Sequence, residues 1–271
     1  ERTLMNKKKI RLDTLLVEKG LFSSREKAKA EIMCGNVFVN NQLVDKPGTQ
    51  IEIDSNILIK KKTLSYVSRG GLKLERALEV FDIPLKDRIA LDAGASTGGF
   101  TDCLLQNGVK KVYAVDVGYG QLDYRLRQDK RVIVLERTNV RYLKLEDIGE
   151  EMDIITADLS FISLSKVFYT FSQLLKKHGD LITLIKPQFE VGRKEVGKKG
   201  VVREKKLHVK AISDTIVSAK ECNLFLNNLT HSPIKGPKGN IEYLAHFKNS
   251  LLNDYVINVE YVVEQSHLEL L

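Results

Sequence analysis

Asp92-Ala-Gly-Ala-Ser-Thr-Gly-Gly-Phe100 follows the apolar run Ile89-Ala-Leu91 and precedes a helix-like stretch from Phe100 to Gln106. A strand that ends in an acid, turns on glycines and enters a helix is how α/β sheets hold nucleotide-like ligands. Glycine lets the backbone approach the ligand, and the start of the helix offers free N–H groups. The next apolar run, Lys111-Val-Tyr-Ala-Val115, closes on Asp116. That acid lies about 20 residues beyond the loop, which suits a carboxylate bonding ribose hydroxyls. Together these features point to an adenosine-containing cofactor.

Working outward, strands are expected at 89–91, 112–116, 132–136, 153–157, 181–185, 224–229 and 243–247. Helices are expected from Arg69 to Phe81 and at 98–107, 121–128, 163–177 and 206–221. Five β–α steps, then two strands with little between them, predict a seven-stranded, mainly parallel sheet whose last strand is antiparallel. The fold class is therefore α/β and Rossmann-like, with a small α+β unit in front. The expected boundaries are 8–60 for that unit, 61–68 for a linker signalled by the run Lys60-Lys-Lys-Thr63, 69–250 for the α/β domain and 251–271 for a tail. Arg193 to Lys206 carries seven Lys and Arg against two Glu and reads as a mobile basic loop.

The 271 residues are 43% hydrophobic and 29% charged, as in an ordinary globular protein. No apolar run reaches the roughly 18 residues a membrane-spanning helix needs, and no export signal is visible. Cys34, Cys103 and Cys222 are isolated and the five histidines are scattered. This argues against a disulfide framework or a metal site and for a cytoplasmic protein. Residues 1–76 hold 16 Lys and Arg against 9 Asp and Glu, which is +7 of the chain's net +8. A basic leading module points to a polyanionic partner.

Within that module, Leu12, Leu15, Leu16 and Lys19 form a short amphipathic helix stopping at Gly20. Ser23-Ser-Arg-Glu26 reads as a capping box for a second helix, with Ala28, Ala30 and Ile32 inward and an end at Gly35. Val37-Phe-Val39, Asn40-Asn41 and Leu43-Val44 give a hairpin, followed by a Lys46-Pro-Gly48 turn and short strands at 51–53 and 57–59. Through Arg11-Leu-Asp13, Ser24-Arg25, Lys27, Ala28, Gly35, Val37, Val39-Asn40 and Lys46-Pro-Gly48, this stretch resembles an S4-type RNA-binding domain. The resemblance implies RNA contact through Arg11, Ser24, Arg25, Lys27, Lys29 and Lys46, joined by Arg69 beyond the linker.

A glycine loop and a second acid are shared with nicotinamide oxidoreductases, so the later strand ends carry the discrimination. Asp158 ends the fourth strand, Lys186 ends the fifth, and Glu242 begins the last, antiparallel one. All three fall at the sheet edge where such ligands bind, and Lys73, on the helix before the first strand, can join them. Lys73, Asp158, Lys186 and Glu242 stand in the order of the Lys-Asp-Lys-Glu tetrad of RNA ribose 2′-O-methyltransferases. Further matches are Val67-Ser-Arg-Gly-Gly-Leu-Lys73-Leu, Leu91-Asp-Ala-Gly-Ala-Ser-Thr-Gly-Gly-Phe-Thr-Asp102, Ala157-Asp-Leu-Ser-Phe-Ile162 and Leu184-Ile-Lys-Pro-Gln-Phe-Glu190. On these motifs the chain resembles, over residues 8–250, the TlyA (hemolysin A) family of S4-domain ribosomal RNA methyltransferases with an FtsJ-like catalytic domain.

That resemblance implies S-adenosylmethionine as cofactor and a cytidine 2′-hydroxyl in 16S or 23S rRNA as acceptor, with ribosomal subunits as partners; the sequence leaves the oligomeric state open, a monomer being favoured. It implies cofactor contacts from Asp92, Gly94, Ser96, Thr97, Gly98, Gly99, Phe100, Asp116, Asn139 and Asp158. In-line transfer to a poor nucleophile needs alignment and a proton acceptor, and Lys186 is the expected base, with Asp158 and Glu242 orienting it. Two alternatives remain open in the sequence: a non-catalytic ribosome-binding protein with a retained cofactor pocket, and a membrane-active haemolysin.

Overall fold

Alternation of side chains along the strands puts apolar residues on both faces of one sheet, so both faces must be covered. The computed structural model describes residues 9–33, 35–59, 66–197, 199–250 and 257–270. Cys34, the expected linker at Lys60–Thr63 and Lys198 lie outside the described residues, as does the side chain of Ala30. The chain forms two compact units that divide at Leu64 and Ser65.

The first unit runs β1 (Lys9–Arg11), α1 (Leu12–Glu18), α2 (Arg25–Met33), β2 (Val37–Val39), β3 (Gln42–Leu43), β4 (Gln50–Glu52) and β5 (Ile57–Ile59). Strand β1 pairs with β4, and β2 lies between β3 and β5, all antiparallel. Asn40 and Asn41 both take the left-handed conformation that a two-residue hairpin turn demands. Leu12, Leu15, Leu16, Ala28, Ile32 and Val37 form the core. The helix cap sits one residue later than the Ser23–Glu26 spacing predicts. Ser24 Oγ accepts from Lys27 N at 3.3 Å, so Lys27 takes the position a capping-box glutamate needs, and Glu26 falls in the first turn instead.

The second unit continues with α3 (Gly70–Phe81), β6 (Ile89–Ala93), α4 (Gly99–Gln106), β7 (Lys111–Val115), α5 (Tyr124–Gln128), β8 (Val132–Leu135), α6 (Leu145–Ile148) and β9 (Met152–Ala157). It closes with α7 (Phe168–Leu174), β10 (Leu175–Ile185), α8 (Pro187–Glu190), α9 (Lys205–Glu221), β11 (Phe225–His231), β12 (Tyr243–Lys248) and α10 (Val259–Leu270). The seven strands lie in the order β11-β12-β10-β9-β6-β7-β8, and β12 runs antiparallel to both of its neighbours. This is the mainly parallel sheet expected. Helices α3, α4 and α5 cover one face through Leu74, Phe100, Leu104 and Leu126. Helices α7, α9 and α10 cover the other through Phe168, Phe171, Ile212 and Val263. Neighbouring residues split between the faces, Ala90 to one and Leu91 to the other, as a period of two requires.

Four expectations change. The helix foreseen at 163–177 stops at Leu174, because Leu175 is buried and already pairs with Met152 at the start of β10. The end of the foreseen linker belongs to this unit: Tyr66 is buried, and Val67 N donates to Asp102 Oδ2 at 2.7 Å. The basic segment 193–206 is pinned rather than loose. Val202 is buried, its N–H donates to Asn240 Oδ1 at 3.0 Å, and Glu195 pairs with Lys210 at 2.7 Å. Ala211, in the second turn of α9, completes that small apolar cluster.

The tail from residue 251 carries α10, which closes the unit. Val263 and Ser266 are buried, and Ser266 Oγ lies 3.0 Å from Tyr243 Oη, itself 2.7 Å from His208 Nδ1. Deleting residues 257–271 therefore strips a buried face and the bonds of Ser266 to Tyr243 and of Glu269 to His231. The loss expected is roughly 3–5 kcal/mol, read as a lower midpoint in thermal and urea unfolding, whereas a dispensable tail would leave both unchanged.

Candidate active site

Four charged side chains reach one point because the sheet registers put them there. Asp158 directly follows β9, and Lys186 directly follows β10. Glu242 directly precedes β12, whose first residue Tyr243 pairs with Ile185 at the end of β10. Lys186 and Glu242 are thus the next residues beyond one cross-strand pair. Lys73 arrives from α3, whose start crosses the start of α4 at backbone distance. A Cβ on Gly99 would lie 2.8 Å from Gly71 N, so any larger residue would push the helices apart.

The four side chains form a continuous chain of ion pairs. Lys73 Nζ donates to Glu242 Oε2 at 2.7 Å and lies 3.8 Å from Asp158 Oδ2. Lys186 Nζ lies 2.5 Å from Asp158 Oδ1 and donates to Ser160 Oγ at 3.0 Å. Lys73, Lys186 and Glu242 are buried and Asp158 is half-buried. Two cations and two carboxylates cancel, which is the condition for keeping such groups out of water.

A cavity of about 330 Å³ opens on this cluster, bounded by Arg69, Lys73, Asp158, Lys186 and Glu242 on one side and by the glycine loop on the other. Of the loop residues, Gly94, Ser96, Thr97, Gly99 and Phe100 line it. A second cavity, of about 480 Å³, shares Gly94, Ser96, Asp158 and Ser160 with the first and extends to Asp116 and Asn139. Gly94 has φ 84°, and a Cβ there would lie 2.6 Å from the carbonyl oxygen of Asp158, so the loop and the strand end approach as only glycine allows. Asp116 accepts from Ser96 N at 2.8 Å and from Gly118 N at 2.7 Å, which fixes its carboxylate at the cavity wall. Asn139 Oδ1 accepts from Arg141 N at 3.1 Å.

Two expected contact residues sit elsewhere. Gly98 lines neither cavity, since its Cα faces Leu122 and Leu126 beside α5. Asp92 is fully buried beneath the loop, where Thr101 Oγ1 donates to it at 2.7 Å and Thr156 Oγ1 at 3.2 Å. It shapes the loop from below. Burial raises its pKa to about 7, against the lowering effect of the two threonines.

In the first unit, Arg11 and Arg25 converge on buried Asp13 at 2.9 and 3.1 Å, and these bonds hold its carboxyl well below the usual range. Both guanidiniums remain about half-exposed. Lys27 and Lys46 are exposed and Lys29 is half-buried, while Ser24 is spent as a helix cap. Sequence reasoning missed Ser160, Gln188 and Gly236, which touch Lys186 or Glu242. It also missed Glu190, which accepts from Ser163 Oγ and Leu164 N and ties the loop after β9 to α8. Ser160, Gln188 and Glu190 fall inside the motif runs that hold Asp158 and Lys186, which is the signal that could have found them.

Comparison with known proteins agrees with this geometry. The FtsJ-like methyltransferase description matches residues 66–249, and the S4 domain matches residues 10–57. The chain belongs to the FtsJ-like methyltransferase family. It is 43% identical over 237 residues to the 16S/23S rRNA (cytidine-2′-O)-methyltransferase TlyA of Mycobacterium tuberculosis, covering 87% of this chain and 88% of that one. It is 45% identical over 239 residues to Hemolysin A of Brachyspira hyodysenteriae, covering 88% and 99%. A solved structure of a candidate hemolysin from Streptococcus thermophilus aligns with TM-score 0.77 at 44% identity, covering 96% of each chain. Among the described residues no helix is long and apolar enough to cross a membrane.

Asp92 gives this FtsJ-like domain a pH signature. With a native pKa of about 7 against 3.8 for an unperturbed aspartate, the folded state holds the proton more tightly than the unfolded one. Its contribution is greatest below the unfolded value and is lost as pH rises towards 7, by an amount on the order of 4 kcal/mol. Asp92→Asn should flatten the fall in thermal midpoint between pH 5 and pH 8. An unchanged slope would place Asp92 in the ionised form throughout.

Proposed function

We propose that the protein transfers a methyl group from S-adenosylmethionine to the 2′-hydroxyl of a cytidine in 16S or 23S ribosomal RNA. The convergence of Lys73, Asp158, Lys186 and Glu242 on a cavity contiguous with the glycine loop carries this reading. The relatives named as cytidine-2′-O-methyltransferases support the acceptor. Action on ribosomes places the protein in the cytoplasm.

The residues present suit that cofactor. The Gly94 cradle admits a ligand against bare backbone, Asp116 offers carboxylate oxygens to sugar hydroxyls, and Asn139, Val140 and Leu159 wall the far end where an adenine fits. When bound, the cofactor supplies a methyl group already activated by a positive sulfur. The protein then has to align the acceptor oxygen and take one proton. Lys186 is the proposed acceptor of that proton. Its Nζ can release its own proton to Asp158 Oδ1, 2.5 Å away, as the hydroxyl approaches. Lys73, held by Glu242, keeps a positive charge beside the developing alkoxide.

The first unit is proposed to grip RNA phosphates through Arg11, Arg25, Lys27, Lys29 and Lys46, with Arg69 at the cavity rim acting on the acceptor strand. Ser24 is better placed as the cap that orients Arg25 than as a contact.

Mass-spectrometric mapping of ribose methylation in rRNA incubated with the protein tests the assignment directly. Lys186→Ala should lower kcat by about 10²- to 10⁴-fold while cofactor affinity, measured by calorimetry, stays within twofold. Near-normal turnover in that variant would remove Lys186 as the base. The double substitution Lys27→Ala and Lys46→Ala should weaken RNA binding and reduce the slope of log K against log salt by roughly two. An unchanged slope would take these lysines off the RNA path.

A further inference from the structure

Beside the ion-pair cluster lies a third cavity, of about 300 Å³, lined among others by Phe161, Lys186, Gln188, Phe189 and Glu242. Its walls are mostly apolar. Phe161 and Phe189 stand with ring centroids 5.3 Å apart, tilted by 48°. Phe161 is 89% exposed and held on a left-handed backbone, φ 66°, so a large aromatic face is kept in water at a strained position. Glu190 fixes the loop behind it through Ser163 and Leu164. Such a wall suits a planar ring.

One polar group at this wall has no partner. Gln188 Nε2 donates to Glu242 Oε1 at 3.5 Å, and the other oxygen of Glu242 is taken by Lys73. A carboxylate only accepts, so the amide must turn its NH₂ half towards Glu242. Its carbonyl half then faces away, and Gln188 Oε1 is shut off from water with no hydrogen-bond donor. A buried acceptor left in that state is costly unless a ligand supplies the donor. Gln188 as a whole is only half-buried, so torsion about its own side-chain bonds brings the oxygen to the cavity surface.

We infer that Gln188 reads the acceptor base: its Oε1 accepts a hydrogen bond from the exocyclic amine of a pyrimidine seated against Phe161 and Phe189. The inference rests on the ribose methylation proposed above and adds the residue that selects the nucleoside. A cytosine presents an amine at this edge, whereas uracil presents a carbonyl, which sets acceptor against acceptor.

The test uses the full chain with S-adenosylmethionine and rRNA whose methylated position has first been located with the wild-type protein. That position is then supplied as cytidine, uridine or 2-pyrimidinone riboside, which carries no exocyclic group at C4. Wild-type protein should favour cytidine over either analogue by more than about tenfold in kcat/KM. In Gln188→Met, a variant of similar volume without donor or acceptor, the three substrates should fall within about threefold of one another. Gln188→Asn, which withdraws the amide by one methylene, should lose the preference as well and serves if the methionine variant does not fold. Were Gln188 only a prop for Glu242, all three substrates would slow together. A preserved wild-type ratio in a variant that still binds cofactor overturns the inference, whatever its absolute rate. Absence of methyl transfer to any rRNA by the wild-type protein would instead sink the proposed function itself.

Discussion

The site depends on charge neutrality among side chains largely removed from water. Lys73, Glu242, Asp158 and Lys186 are linked end to end, and each carboxylate is within ion-pair distance of at least one ammonium. Buried pairs of this kind add little net stability, because desolvation offsets most of their attraction. Removing one partner strands a charge at a cost of about 3–5 kcal/mol. Such a cluster is poorly suited to holding a fold together and well suited to moving a proton. Its members are already desolvated, so each acts on its neighbour at close to full strength.

What keeps the four groups together is backbone geometry laid down by small residues. The helix start that delivers Lys73 can approach α4 so closely because Gly99 offers no side chain there, while Gly71 leaves room for the Tyr66 ring. The loop that borders the cavity passes within contact of the Asp158 carbonyl for the same reason at Gly94. Beneath both, Asp92 ties the loop to the sheet through Thr101 and Thr156, and its burial sets it apart from the charged groups above. The floor of the site is rigid, while its open side is an aromatic wall with one unsatisfied amide. Preorganisation on one side and a vacancy for hydrogen bonding on the other is the pattern of a site that aligns one reactant and selects another.

The apolar alternation in the strands, the glycine run after β6 and the acids at strand ends were open to reading along the chain, since each rests on local chemistry. The reversal of β12 was readable from the absence of a crossover helix before it. The pinned segment at 193–206 was not, because the residue that anchors it, Asn240, is 38 positions away from the Val202 amide it accepts. Nor was α10, whose burial depends on packing beside β11 and on Ser266 meeting Tyr243, 23 positions away. Charge composition misled at 193–206, marking as free what long-range contacts hold.

The sequence by itself determined which residue types stand at the ends of which elements, and so the class of chemistry available at the sheet edge. Periodicity and turn propensity are local properties, legible without any partner. Only the tertiary structure decided that Asp92 lies below the loop rather than beside a ligand, that Gly98 turns towards α5, and that Gln188 meets Glu242 with its oxygen left over. Those outcomes depend on strand register and helix crossing, where a displacement of one residue or a few ångströms changes which atoms can touch.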